Sequence, residues 1–515
     1  MVNKQLLFSL QLILGVTLFL CAGHSHAAGL FYPEIGTVAL GRGGAFVSRA
    51  DDLSAFYHNP AGLSKSKGFN VHLGGNLNDL NVKFQRQGAA EEGVGLNGEW
   101  FPLDDRYILD NFDPPVILGV GNPRLDYSDG IDNPRPFGSV SQQTAVIVNS
   151  VMVVANWGDA FGVEGLALAA GLFAPSGYTK HRYPKNGAQR YAIRELDSLI
   201  IYPGIGVSYA LNRYFQIGAV FLNGMAFLGK AQASRLLPTF QDIDYNEDAN
   251  GDASLRLDFD DLFMPTAIVG VLSQPLDWLE LGVSVRLPVF MKAKGNVKYQ
   301  ASELDYPDAK VEKGHHNVTV EHHFPWVVTT GVRYIHERFD VEVDFIWENW
   351  STYDGMDVNL DLWVDEDNDP ETESKIIPDT HIPKNFRDTY SVRIGSDIEV
   401  LPEVLTVRLG GLWQSSAYPK NNDTFSLDFP YGEQFGASAG LTWHAWGYVD
   451  VSIGYQHLFQ ERITVTEGIL QQSSGELFHP NPEDASVALS MGNTVNNGTY
   501  DVNLNIFSLA VEGHF

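Results

Sequence analysis

Polar and apolar residues alternate along much of this chain, and three segments show the alternation most cleanly. Phe339, Val341, Val343, Phe345 and Trp347 share one face, opposite Asp340, Glu342, Asp344 and Ile346. Val449, Val451, Ile453 and Tyr455 oppose Asp450, Ser452, Gly454 and Gln456, while Leu405, Val407, Leu409 and Trp413 oppose Thr406 and Arg408. A period of two predicts half-buried β-strands. The segment Tyr500 to Phe515 reads the same way, with Phe507, Leu509, Val511, Gly513 and the terminal Phe515 on one face. Chain termini usually fray. A terminal strand this regular suits a closed barrel, whose last strand pairs with its first and leaves no edge in lipid. Upstream, Val502, Leu504 and Ile506 fall in the opposite phase, which predicts a bulge near Asn505.

Periodicity does not separate a soluble sandwich from a membrane barrel, since each has strands with one apolar face. Connection lengths do. About fourteen strand-like segments begin near Gly68, Gln143, Gly162, Gln189, Tyr214, Ser254, Leu279, Asn317, Phe339, Thr389, Leu405, Glu433, Tyr448 and Tyr500. Short connections such as Asn212-Arg213, Gln274 to Trp278, His336 to Arg338 and Trp446-Gly447 alternate with long ones such as Val82 to Gln142, Ala231 to Ala253 and Asp354 to Asp388. Turns on one side and loops on the other predict an all-β, transmembrane antiparallel β-barrel with periplasmic turns and extracellular loops. Greek-key connections would not alternate this way.

The remaining features fit a bacterial outer membrane. Lys4, the apolar run Leu6 to Ala22 and the small residues of Ser25-His26-Ala27 predict a signal peptide over 1–27. A retained helix is a weaker reading because Gln11 and Gly15 interrupt the run, and a lipid anchor on Cys21 is weaker because Leu20 is not small. Cleavage after Ala27 removes the only cysteine, so the fold must hold without disulfides. Mean hydropathy is −0.11, as expected when half of each strand faces a polar lumen. The formal charge of −29 argues against a nucleic-acid partner.

Residues 28–67 precede the first strand and are too small and glycine-rich to form a core alone, so they predict a plug (hatch) packed in the lumen of the barrel, 68–515. This segment resembles the FadL/TodX family of outer-membrane transporters for long-chain fatty acids and other hydrophobic compounds. The resemblance rests on Ala28-Gly29, Gly41-Arg-Gly-Gly-Ala45, Ala50-Asp-Asp52 and Asn59-Pro60-Ala61. It continues along the barrel at Asp344 to Ser351, Asn385 to Asp388 and Leu405 to Pro419. It implies a hydrophobic ligand bound in a plugged lumen, a plug end at Ala28, Gly29, Leu30 and Phe31 that shifts with ligand, and lateral release into the membrane. The expected partners are that ligand, the lipid bilayer and lipopolysaccharide, for a monomer. A general porin and an outer-membrane lipolytic enzyme are the rival readings.

Other constellations carry less. Gly436-Ala-Ser-Ala-Gly440 matches a hydrolase nucleophile pattern but sits in an alternating strand with no helix to follow. His315-His316 and His322-His323 read as loop or rim residues, since adjacent histidines on a strand point to opposite faces. Asp244, Asn246, Asp248, Asn250 and Asp252 resemble half of a calcium loop, leaving structural calcium in the outer loops beside the blander reading of solvated acidic loops. No other cofactor is expected. Arg333, Arg393 and Arg408 are placed to face the lumen, either to meet a fatty-acid carboxylate or to pair with Asp340, Asp344 and Glu348.

Overall fold

The computed structural model describes residues 35–87, 106–109, 116–119, 139–175, 179–236, 252–300, 311–364, 374–375, 379–445, 447–470, 474–475 and 494–515. Fourteen antiparallel strands form a closed barrel. They are β1 (Gly68–Arg86), β2 (Ser139–Gly158), β3 (Leu166–Ala174, then Thr179–Arg182), β4 (Glu195–Asn212), β5 (Phe215–Leu236), β6 (Asp252–Leu276), β7 (Leu279–Arg286, then Val289–Gln300) and β8 (Val311–Phe324, then Val327–His336). The ring continues through β9 (Phe339–Glu348, then Gly355–Val364), β10 (Thr380–Pro383, then Thr389–Leu401), β11 (Leu405–Gln414), β12 (Gln434–Ala445), β13 (Val449–Gln460) and β14 (Gly498–His514). β14 pairs with β1 from Asn70↔His514 to Arg86↔Gly498, which closes the sheet. The two neighbours thus satisfy each other's backbone groups, as lipid requires.

Strands β1, β7, β9 and β11 begin where the alternation places them, at Gly68, Leu279, Phe339 and Leu405, and the second piece of β10 begins at the expected Thr389. The expected bulge near Asn505 is absent. β14 keeps one register against β1 and against β13 through that residue. The change of apolar phase has another cause. Val502, Leu504 and Ile506 are buried on the lumen side, whereas Phe507, Leu509 and Val511 are exposed on the outer wall. The barrel is therefore apolar inside at the long-loop end and apolar outside across the membrane.

The outer wall confirms the solvent it faces. Leu509 is 55% exposed, Ile205 66% and Phe221 58%, a density of apolar side chains that water would not support. At the short-turn end Phe69, Trp157, Trp278, Tyr334, Trp443 and Tyr448 are exposed and form an aromatic girdle. No helix among the described residues is long and apolar enough to cross a membrane; the strands do the crossing.

Ahead of β1, residues 35–66 fold into α1 (Thr37–Gly41), α2 (Ala55–His58) and a short 3-10 turn, Pro60–Lys65. They touch strands around the ring: α1 packs on β11, β12, β13, β14 and β1, and the turn packs on β2 to β6. Ile35, Leu40, Phe46, Leu53 and Phe56 are fully buried there. The wall gives way to them by omission of side chains. A Cβ on Gly270 would lie 1.9 Å from Asn59 Oδ1, and one on Gly218 would lie 2.4 Å from the Pro60 carbonyl oxygen.

Candidate ligand cavity and its supports

Toward the short-turn end, the inner segment is fixed by charge. Arg42 is fully buried and donates to Asp340 at 2.7 Å and to Glu342 at 3.0 Å, both lumen-facing residues of β9. Arg49 reaches Asp340 at 2.9 Å and Asp397 of β10 at 2.6 Å. Carboxylates also hold the segment's backbone: Asp344 accepts from Phe46 N and Val47 N, and Glu342 accepts from Ser48 N at 2.6 Å. Burial alone would push the Arg42 guanidinium down, but the three carboxylates outweigh it and hold it above its ordinary range.

Two of the arginines expected to face ligand belong to this network. Arg333 pairs with Glu280 at 2.9 Å and Asp340 at 2.8 Å, and Arg408 pairs with Asp397 at 2.8 Å. Arg393 sits at a different height. It lies opposite Asp344 in the β9–β10 register, donates to Ser391, and lines a cavity above the network.

That cavity has a volume of ≈ 80 Å³, enough for several waters. Its wall is apolar on one side, from Phe173, Tyr202, Leu222, Ile268, Val289 and Phe324. Its polar end holds His58, Arg286, Asp344, Glu348 and Arg393. Arg286 was not among the residues singled out from sequence. Its guanidinium lies 4.2 Å from the centroid of the Tyr57 ring, a cation–π contact. Its buried Nε has no hydrogen-bond partner among the described residues. His58 donates from Nε2 to the Ile35 carbonyl at 2.7 Å and packs edge-on against Phe46 and Tyr57. Burial pushes its imidazole down to about 3, so it stays neutral.

Asn59, Pro60 and Ala61 hold the segment against the opposite wall. Asn59 Nδ2 donates to Val47 O at 2.7 Å and to Val271 O of β6 at 3.2 Å, while its Oδ1 accepts from Ala61 N at 3.2 Å. Pro60 starts the 3-10 turn, where no N–H is needed. Ala28, Gly29, Leu30 and Phe31 lie outside the described residues. So do Asp244, Asn246, Asp248 and Asn250; Asp252 opens β6.

The pair His322-His323 lies within β8 and not in a loop. His322 is not a loop or rim residue but a buried lumen residue of β8, 2.6 Å from the Tyr353 hydroxyl. His323 is on the other face, with Nε2 3.0 Å from the Thr352 carbonyl. Gly436 to Gly440 lies within β12, with no nucleophile elbow.

Comparison with known proteins matches this architecture. A family model described as outer membrane protein transport protein (OMPP1/FadL/TodX) matches residues 18–496. The crystal structure of a Pseudomonas aeruginosa FadL homologue aligns with a TM-score of 0.67 at 16% identity, covering 95% of this chain and all (100%) of that one. The P. putida toluene transporter TodX gives 0.59 at 14% identity, over 94% and 99% of the two chains. The Ralstonia pickettii toluene transporter TbuX gives 0.54 at 12% identity, again over 94% and 99%. A search of curated proteins gave no match. At these identities the solved structures speak for the fold.

Proposed function

Since the chain belongs to the OMPP1/FadL/TodX family of outer-membrane transporters of hydrophobic compounds, which are transporters and not enzymes, we propose that its ligand is a long-chain fatty acid or a similar amphipathic anion. The observation that carries this reading is Arg286. A guanidinium over the Tyr57 ring, in a cavity lined also by Ile268, Leu287 and Val289 and in no ion pair among the described residues, suits a carboxylate that arrives with an apolar tail. Arg393 stands beside it as a second contact. A monoaromatic hydrocarbon would use the apolar wall and make no bond to the Arg286 guanidinium.

The inner segment acts as the gate. A cavity with room for several waters does not hold an acyl chain, so ligand must displace something, and Tyr57 and His58 of the segment line it. Release is lateral. Along β3 the described pairing with β4 runs to Phe173↔Tyr202 and again from Thr179↔Ser198, and Phe173 and Pro175, beside this interval, line the cavity. Proline has no N–H to repair a ladder. An exit into lipid spares an acyl chain the ~0.8 kcal/mol per CH₂ of re-entering water.

Equilibrium binding of labelled oleate, methyl oleate and toluene to the purified protein tests this reading. Tighter binding of oleate than of methyl oleate supports it. Equal binding of all three, or binding of toluene alone, removes the carboxylate from the account.

A further inference from the structure

The wall has a second parting, between β6 and β7. Their ladder runs from Leu279↔Leu276 up to Arg286↔Ile268, and begins again at Lys294↔Asp260. Between these rungs residues 261–267 face 287–293, roughly 20 Å of strand. The backbone bond across them among the described residues is Leu287 N→Ala267 O. The register is the same above and below, so the strands separate without slipping. Pro265 and Pro288 lie inside the interval and cannot donate. On the β5 side, β6 carries a register shift between Gly224 and Ala226, so Leu262 and Phe263 are both turned outward, 50% and 73% exposed. Phe290 across the gap is 69% exposed.

The parting joins two compartments. On the lumen side Thr266, Leu287 and Val289 line the cavity. On the outer side Leu262, Phe263 and Phe290 make an apolar lip. Just above the lip the exposed residues become charged: Asp261 Oδ2 accepts from Lys292 N at 2.8 Å, and the Lys292 ammonium pairs with Glu321. A wall that turns from exposed Phe to exposed Lys along one strand marks the boundary between hydrocarbon and headgroups.

We propose that the gap between β6 and β7 is a second lateral doorway, through which amphipathic ligands exchange between the cavity and the outer leaflet with the tail passing the Phe263–Phe290 lip. It rests on the reading that ligand occupies the cavity, and it is separate from the exit at β3. The head group travels at the level of Lys292 and Lys294, so neither end of the ligand leaves its preferred solvent. Arg286 sits at the foot of the gap, where an incoming carboxylate first meets the cavity.

A reducible bifunctional thiol cross-link between Leu262→Cys and Lys292→Cys tests the doorway. These two exposed positions oppose each other in the shared register. The assay is transfer of a fluorescent fatty acid from the protein into liposomes. Cross-linking is expected to slow transfer at least about threefold, with recovery on reduction and unchanged equilibrium binding. Phe263→Ala with Phe290→Ala, which thins the lip without a cross-link, is expected to speed transfer. Transfer at the parent rate in both proteins overturns the doorway, as does a slowing seen only with Pro175→Val at β3. A parent protein that binds neither the fatty acid nor toluene overturns the ligand reading itself, and the doorway with it.

Discussion

Arg42 Nη1 lies 2.7 Å from Asp340 Oδ1, and the two residues are separated by most of the barrel's sequence yet buried together in its lumen. Through this contact an inner segment without a core of its own is fastened to the wall. Replacing Arg42 with Met leaves Asp340, Glu342 and Asp397 crowded and undercompensated. Removing one partner from a buried pair costs about 3–5 kcal/mol. The segment should loosen while β1 and β14 still close the barrel. Raised conductance in planar bilayers, with heat-modifiable gel migration retained, is the expected result.

Asn59→Ala removes the side-chain bonds to Val47 O, Val271 O and Ala61 N in one step. The backbone carbonyls and the Ala61 N–H left without these bonds should cost about 1–3 kcal/mol. Faster protease cleavage between Gly36 and Ser66 in the folded, detergent-solubilised protein would register the loss.

Arg286→Ala should weaken oleate binding by about tenfold or more, since a hydrogen bond to a charged group contributes ~1.5–3 kcal/mol. Toluene and methyl oleate should bind as before. Arg286→Lys should restore part of the difference, because a point charge replaces the planar fork.

Acid should tighten the inner segment at the barrel seam. Asp52 is pushed up to about 6, first by burial and then by Glu512 of β14. A carboxyl raised in the folded state stabilises that state fully below its unfolded value near 4, and the benefit disappears as pH rises through the folded value. Protection of the segment from protease should therefore fall between about pH 4 and pH 6.5. Asp52→Asn should flatten this dependence, which a pH series of limited proteolysis reads directly.

Much of this was legible in the chain, and the failures have one source. Alternation located strands as different as the first, Gly68–Arg86, and the last, Gly498–His514, because each must bury one face and present the other to lipid. The breaks within β7 to β10 were not legible. At cavity height both faces of a strand are apolar, so the period of two disappears where ligand chemistry begins. The same effect turned Val502, Leu504 and Ile506 into an expected bulge when they are lumen lining. Arg286 was missed beside Leu287 and Pro288 for this reason; a cation immediately before a proline that interrupts the alternation was the available signal. Arg333 and Arg408 drew attention instead, since their strands alternate well, and good alternation belongs to the ion-paired lower lumen.

In the proposed route a closed inner segment binds hydrophobic ligands and passes them into the membrane without opening an aqueous pore. Simultaneous recording of ion conductance and labelled-oleate transfer by the protein reconstituted in bilayers tests it most directly. Oleate should pass into the lipid with no steady conductance. Steady conductance with no oleate transfer would contradict it, and would make the barrel a water-filled porin.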